Sequence, residues 1–156
     1  WIFTYDAAWA RVNQSMYGSY SAKSGAIDDD EASGISITVN FPEAGLVSFF
    51  AAVSSESGYD WLMWGVDNHI VDGISGAASV DPYFLAYSFP VAPGEHTIDW
   101  VYAKDSSGVD GLDAGWLDGV MILNYEASAK TVPSKLPEGI VLWSEYQKST
   151  PAVKRR

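Results

Sequence analysis

The sequence predicts an all-β protein, an antiparallel two-sheet jelly-roll sandwich with a C-terminal extension. Short stretches of the chain alternate apolar and polar side chains, which is the period of a strand. Polar turn clusters separate these stretches at intervals of roughly 10–15 residues, as is typical of sandwiches. No segment of the body keeps a convincing helical period. The length of 156 residues suits a single domain that buries a substantial core.

The strands are predicted in chain order, each from its own pattern. Ile35, Ile37 and Val39 alternate with polar residues, which predicts a half-buried strand. Residues 45–53 are mostly apolar and aromatic, which predicts a more deeply buried one. The other predicted strands are residues 20–27, 60–67, 83–91, 96–104 and 115–123, with polar turn clusters at residues 42–45, 54–58, 72–76, 93–94 and 105–111. Alternation assigns four large rings to the core, those of Phe49, Trp64, Trp100 and Trp116.

Charge and composition exclude several classes of function. The formal net charge of −11 argues against nucleic acid or an anionic membrane surface as a partner, because both attract cationic proteins. There is no Cys, hence no disulfide and no thiolate nucleophile. No apolar run reaches the length of about 18 residues that a membrane-spanning helix needs. The chain begins at Trp1 without a visible signal peptide, so we expect it to be a piece of a longer polypeptide.

Charge also divides the chain into residues 1–123 and residues 124–156. The first part holds 17 acidic and three basic residues, whereas the second holds three acidic and six basic residues and contains three Pro. We therefore predict a jelly-roll body and a C-terminal extension. The extension is either a linker packed on its own body or an arm that docks on a neighbouring copy of the chain. The predicted contact residues of such an arm are Ile140, Leu142, Trp143 and Tyr146.

Nothing in the sequence indicates a catalytic centre. His69 and His96 are the only two histidines, and both fall in predicted turns, where a structural or solvated role is the simpler interpretation. There is no Gly-x-Ser-x-Gly motif of the kind that presents a catalytic serine. Paired carboxylates could hydrolyse a glycoside, but among 20 acidic residues some pairs arise by chance. We predict that the chain is not an enzyme.

Acidic clusters suggest a structural calcium ion. Residues 28–31 are four consecutive carboxylates, and further aspartates occur between residues 105 and 118. Hard oxygen ligands without Cys favour Ca²⁺ over a transition metal, although neither cluster has EF-hand spacing. The candidate ligands are Asp28, Asp29, Asp30 and Asp118. The alternative is that these carboxylates form a solvated acidic loop.

Exposed aromatic residues are the third signal. Trp61 lies on the opposite strand face from Trp64, so one of these two rings points toward solvent. Aromatic rings stack on the apolar faces of sugars, while neighbouring carboxylates and amides bind the hydroxyl groups. The predicted platform consists of Tyr59, Trp61, Asp67 and Asn68. Packing between sheets or subunits is the alternative role for these rings.

Residues 17–122 carry a series of short motifs that resemble a known module. The motifs are GSYSAKSG from residue 18, GLVSF from residue 45, VSSESGYDWL from residue 53, SG at residue 75, PGEHTIDWVYAKDS from residue 93 and DAGWLD from residue 113. Together they resemble the jelly-roll modules of bacterial secreted and surface proteins, in the neighbourhood of carbohydrate-binding, MAM-like and cleaved-adhesin domains. Asn68 and Gly119 stand where that pattern usually has a glycine and an acidic residue, which weakens the case for a two-carboxylate metal site.

The resemblance implies a non-catalytic extracellular or cell-surface module that binds a glycan or mediates adhesion. The alternative is a structural subunit of an extracellular assembly, such as a surface filament, sheath or virion, whose extension docks on the next copy. We also expect Lys104, one of three cations in the body, to pair with Asp60, Asp105 or Asp118, because a buried ammonium requires a partner.

Overall fold

The structure, a computed structural model, describes residues 5–76 and 81–127 of the chain. These residues form β-strands and connecting segments, and none of them belongs to a helix that could cross a membrane. The strands are β1 (Ala10–Val12), β2 (Ser21–Lys23), β3 (Ala32–Phe41), β4 (Gly45–Ser54), β5 (Trp61–Val66), β6 (His69–Ser75), β7 (Leu85–Val91), β8 (Gly94–Ala103), β9 (Ala114–Leu123) and β10 (Glu126–Ala127).

The strands form two antiparallel sheets of five strands each. The first sheet has the order β1-β2-β9-β4-β7, and the second has the order β10-β3-β8-β5-β6. Strands that follow each other along the chain often lie in opposite sheets, so the sandwich is assembled from both halves of the sequence. The predicted all-β fold, a two-sheet jelly-roll sandwich, is therefore confirmed.

The pairing of β3 with β8 is the longest in the second sheet. It runs without interruption from Ala32 opposite Ala103 to Phe41 opposite Gly94. Side chains alternate across it as the sequence pattern requires: Ile98 and Trp100 are buried, while Thr38 and Thr97 on the outer face share a hydroxyl–hydroxyl hydrogen bond of 2.9 Å. This regular ladder fixes the ends of both strands, and with them the positions of the connecting loops.

Aromatic packing fills the space between the sheets. Phe49 of β4 packs edge-on against Trp64 and Trp100 of the second sheet, with ring centroids 5.1 and 5.5 Å apart, the geometry that aromatic pairs favour. These three predicted core residues are confirmed. Trp116 is also buried, but it lies in a separate cluster with Ala52 and Ala114. Because neighbouring residues of a strand point to opposite faces of the sheet, Leu117 lies in the main core and Trp116 does not.

Three strands, β1, β6 and β10, were not predicted. β6 includes part of a segment predicted as a turn cluster, because it is an edge strand with little alternation, and its register against β5 shifts between Trp64 and Gly65. β10 lies beyond the predicted body and adds an edge to the second sheet by pairing with Asn40 and Val39. The division of the chain near residue 123 stays a prediction. Residues 128–156, which include Ile140, Leu142, Trp143 and Tyr146, lie outside the described residues.

Candidate functional site

The two ends of the sandwich differ in the length of their connections. At one end, which we call the turn end, three connections are short: residues 42–44 and 92–93 cross between the sheets, and residues 67–68 close the β5–β6 hairpin. At the opposite end, which we call the loop end, the connections that the structure describes throughout are residues 24–31, 55–60 and 104–113. Binding residues concentrate on longer loops that a rigid scaffold positions. The loop end is therefore the candidate functional site.

The loop end is strongly acidic. Its three connections contain nine carboxylates: Asp28, Asp29, Asp30, Glu31, Glu56, Asp60, Asp105, Asp110 and Asp113. Lys104 is the only lysine or arginine in these connections. Such a concentration of like charge is unfavourable unless some carboxylates are paired, so the contacts of Lys104 determine which negative charges remain.

Lys104 is buried at the centre of the loop end. Its ammonium lies 2.7 Å from a carboxylate oxygen of Asp113 and 3.1 Å from one of Asp29. The hydroxyl of Tyr102 donates to the other Asp113 oxygen at 2.7 Å. Burial alone would lower the pKa of Lys104, but the hydrogen bonds to Asp113 and Asp29 outweigh it and raise the pKa. Lys104 thus stays protonated and ties two of the three connections together.

The predicted partners of Lys104 were wrong. Asp60 and Asp105 lie nearby but bond to each other: the Asp105 amide donates to Asp60 at 3.1 Å. Asp118 bonds elsewhere, where it accepts hydrogen bonds from the backbone amides of Met16 and Tyr17. The sequence pattern shows which residues are acidic, but only the meeting of separate loops decides which carboxylate reaches the ammonium.

Asp60 is fully buried under the loop end. One of its oxygens accepts the Asp105 amide, and the other has no hydrogen-bond partner among the described residues. Burial raises the pKa of the Asp60 carboxyl above its ordinary value of 3.8. The Ser55 hydroxyl donates to the Asp60 carbonyl at 2.9 Å and accepts the Gly76 amide. The segment 55–60 is therefore held from both sides.

Two aromatic side chains project from this end. Tyr59 is 59% exposed and Trp61 is 38% exposed. Trp61 is the first residue of β5 and pairs with Ala103 and Ser75 on the two neighbouring strands. Its parity is opposite to that of the buried Leu62, so the indole lies on the outer face of the second sheet. The predicted exposure of Tyr59 and Trp61 agrees with their positions.

Asp67 and Asn68 lie at the opposite end of β5. They form the two-residue turn into β6, with φ of 51° and 64°, the left-handed conformation that Asp and Asn tolerate in tight hairpins. Six residues of strand separate Asp67 from Trp61, a distance of about 20 Å. The structure thus places Tyr59 and Trp61 at one end of β5 and Asp67 and Asn68 at the other, so the predicted platform is divided.

The Asp67 carboxylate is occupied within the turn end. It accepts a hydrogen bond from Nδ1 of His96 at 2.6 Å and from the amide of Thr97 at 2.8 Å. Burial alone would raise the pKa of Asp67, but these hydrogen bonds outweigh it and lower the pKa. His69 lies in the same turn, with Nδ1 3.0 Å from the Asp67 carbonyl. Both histidines therefore lie away from the loop end.

The predicted metal ligands are divided in the same way. Asp28, Asp29 and Asp30 belong to the loop end, whereas Asp118 bonds to backbone amides beside the first sheet. Asp29 is already paired with Lys104. Across residues 5–76 and 81–127, no three carboxylates or histidines are placed to hold a metal ion together. Calcium binding at residues 28–30 stays a prediction.

A buried carboxylate on the second sheet was not foreseen. Asp99 of β8 faces outward, yet Tyr5 covers it and hydrogen-bonds to it. Burial raises the pKa of Asp99, and burial together with Asp99 raises the pKa of Tyr5 to about 12. The Tyr5 ring lies where a side chain at Gly34 would be, since a Cβ there would collide with the ring. Alternation marks Asp99 as an exposed position and gives no sign of this cover.

Comparison with known proteins places the fold but no family. No family model and no curated protein matches the chain. Among solved structures, the secreted serine protease VesC from Vibrio cholerae is similar over 78% of this chain, with 15% identity and a TM-score of 0.56. The match covers only 23% of that protease, so the chain corresponds to a small part of it. The similarity shows that this sandwich also occurs in a secreted protein.

Carbohydrate-binding modules are also among the similar structures. A family 35 module from Clostridium thermocellum is 14% identical over 77% of this chain and 89% of its own, with a TM-score of 0.47. The CBM22-1 xylan-binding domain from Paenibacillus barcinonensis is 14% identical over 80% of this chain and 84% of its own, with a TM-score of 0.48.

Proposed function

We propose that the chain is a carbohydrate-binding module that holds a glycan at its loop end. The observation that carries the proposal is the pair of exposed rings, Tyr59 and Trp61, beside a set of carboxylates on a jelly-roll sandwich. The ring faces stack on the apolar faces of sugar rings. Ionised carboxylates accept hydrogen bonds from the sugar hydroxyls. These are the two kinds of contact that a glycan needs.

The loop end is rigid enough to act as a binding surface. Trp61 is anchored by strands on both sides. The connection before it is held by the Asp60–Asp105 hydrogen bond, and the neighbouring connections are held by Lys104. A surface that is ordered before the ligand arrives loses less conformational entropy on binding. This favours binding through few contacts, which suits a glycan lying on two rings.

The proposal is one of binding without turnover. The connections of the loop end contain no His and no Cys. Asp113 and Asp29 are committed to Lys104, so neither is a free acid or base for hydrolysis. The remaining carboxylates serve as hydrogen-bond acceptors. We propose further that the module acts outside the cell, where it would attach a longer polypeptide to a polysaccharide surface and so support adhesion.

Affinity electrophoresis against a panel of soluble polysaccharides tests the proposal. The expected result is retardation of the wild type by at least one polysaccharide, with a loss of about tenfold or more in affinity for Trp61→Ala and Tyr59→Ala, as for central aromatic contacts. Tyr17→Ala is the matched control, since Tyr17 is 58% exposed but lies near Asp118. Its affinity is expected to be unchanged.

Two results would contradict the proposal. One is that no polysaccharide retards the folded wild type. The other is that Trp61→Ala and Tyr17→Ala bind equally well, because the rings at the loop end would then contribute nothing specific. Circular dichroism and melting curves of each variant show whether a loss of affinity reflects unfolding, and Trp61 is exposed enough that its replacement is expected to leave the sandwich intact.

A further inference from the structure

The surface charge of the loop end is negative. Its one cation, Lys104, has a side chain only 3% exposed and is used by Asp29 and Asp113. Asp28, Asp30 and Asp110 are exposed on the same connections. A ligand approaching Tyr59 and Trp61 therefore meets carboxylates that no lysine or arginine of these connections neutralises at the surface.

Two carboxylate oxygens beside Tyr59 lack donors. The free oxygen of Asp60 and one oxygen of Glu56 are buried and have no hydrogen-bond partner among the described residues. Asp60 itself is fully buried. Both oxygens belong to the connection that carries Tyr59, so this part of the loop end holds acceptors without matching donors.

We propose that the loop end selects glycans that carry free amine groups, such as de-N-acetylated hexosamine polymers, over neutral glycans and against glycans with uronic acid or sulfate groups. This inference rests on the proposed glycan-binding function. A protonated amine offers three donors and no acceptor, which complements an acceptor-rich surface. The same cation is attracted to the faces of Trp61 and Tyr59. Anionic sugars offer acceptors and meet repulsion instead.

Calorimetry with three hexasaccharides tests the selectivity: hexa-glucosamine, its fully N-acetylated counterpart and hexa-galacturonate, at a pH where the amines are protonated. At an ionic strength of about 0.01 M, where screening is weak, we expect the amine form to bind about fivefold more tightly than the acetylated form, the effect of one or two exposed ion pairs. We expect the uronate to be the weakest. At about 1 M salt the difference between amine and acetylated forms is expected to disappear.

Matched variants locate the effect. Asp28→Asn combined with Asp30→Asn removes two charges from the loop end, and Asn tolerates the left-handed φ of 62° at residue 30. Glu43→Gln combined with Glu95→Gln removes two charges from exposed residues at the turn end. The first pair is expected to abolish the preference for amines while leaving affinity for the acetylated form unchanged. The second pair is expected to preserve the preference.

Each outcome separates this inference from the proposed function. Equal affinity for the amine and acetylated forms, with binding still lost in Trp61→Ala, would overturn the selectivity and keep the glycan site. Tighter binding of the uronate would do the same. A preference for amines that survives Asp28→Asn/Asp30→Asn would also overturn the inference. So would oligolysine that binds as tightly as hexa-glucosamine to both wild type and Trp61→Ala, since this would show attraction to any cation.

Discussion

Replacing Lys104 with methionine tests how the loop end is held together. Methionine keeps an unbranched side chain of similar length but removes the ammonium that contacts Asp113 at 2.7 Å and Asp29 at 3.1 Å. The pKa of Lys104 is raised above 10.5. Its stabilising contribution is therefore fully present below that value and is lost only as the pH rises through the pKa of the folded state. At neutral pH the variant loses all of it.

The magnitude follows from the exposure of the two partners. Removing one partner of a fully buried ion pair costs about 3–5 kcal/mol. The side chains of Asp113 and Asp29 are 19% and 42% exposed, so water solvates part of the charge that remains. We therefore expect a loss of about 2–3 kcal/mol in the free energy of unfolding. With an unfolding entropy near 0.25 kcal/mol/K for about 120 folded residues, this lowers the melting temperature by about 8–12 °C.

Thermal melting followed by circular dichroism measures the change, and Lys23→Met is the matched control. Lys23 lies 5.2 Å from the centre of the Trp116 ring, an interaction worth about 0.5–1 kcal/mol. The control makes the same change in charge and side chain, but is expected to lower the melting temperature by only about 2–4 °C. A Lys104→Met variant that melts within about 2 °C of the wild type would refute the reasoning.

Two further predictions concern pH and association. Burial raises the pKa of Asp60, so the folded state binds its proton more readily and stability falls as the pH rises from 3.8 through that pKa. Urea unfolding of Asp60→Asn at several pH values is expected to lack this slope, and curves parallel to the wild type would contradict it. If residues 128–156 dock on a neighbouring copy, their deletion converts oligomers to monomers in size-exclusion chromatography with the sandwich still folded. Unchanged elution would reject self-association through the extension.

Much of the fold was predictable because its central strands have two clearly different faces. In β8, Ile98, Trp100 and Tyr102 belong to the main core while the residues between them do not, and the pleat of a strand imposes that period directly. Edge strands face fewer neighbours and are less constrained. β6 is mostly exposed, with Ile70 and Val71 adjacent and both outside the core, so its sequence resembles a polar turn interrupted by apolar residues.

The candidate site was only partly predictable because it depends on which loops meet. The exposure of Trp61 follows from its parity relative to Trp64 and needs no tertiary information. The partners of Lys104 depend on how residues 24–31 and 104–113 approach each other, and no local pattern determines this. Asp67 resembled a ligand-binding residue because it is polar and close to Trp61 in sequence. An extended strand places residues six positions apart at opposite ends of a sheet.

The contrast between the two ends of the sandwich supports the proposal that a glycan binds at the loop end. At the turn end, polar groups bond to each other: the Asp67 carboxylate accepts hydrogen bonds from His96 and from the Thr97 amide. The two-residue turn there also offers few residues to form a binding surface. At the loop end, Lys104 contacts only two of the nine carboxylates in the three connections, and its single charge balances one of them. The remaining negative charges cost stability in the free protein through mutual repulsion. A ligand that supplies donors or positive charge reduces that repulsion. The reduction adds to the free energy of binding for a partner that contacts Tyr59 and Trp61.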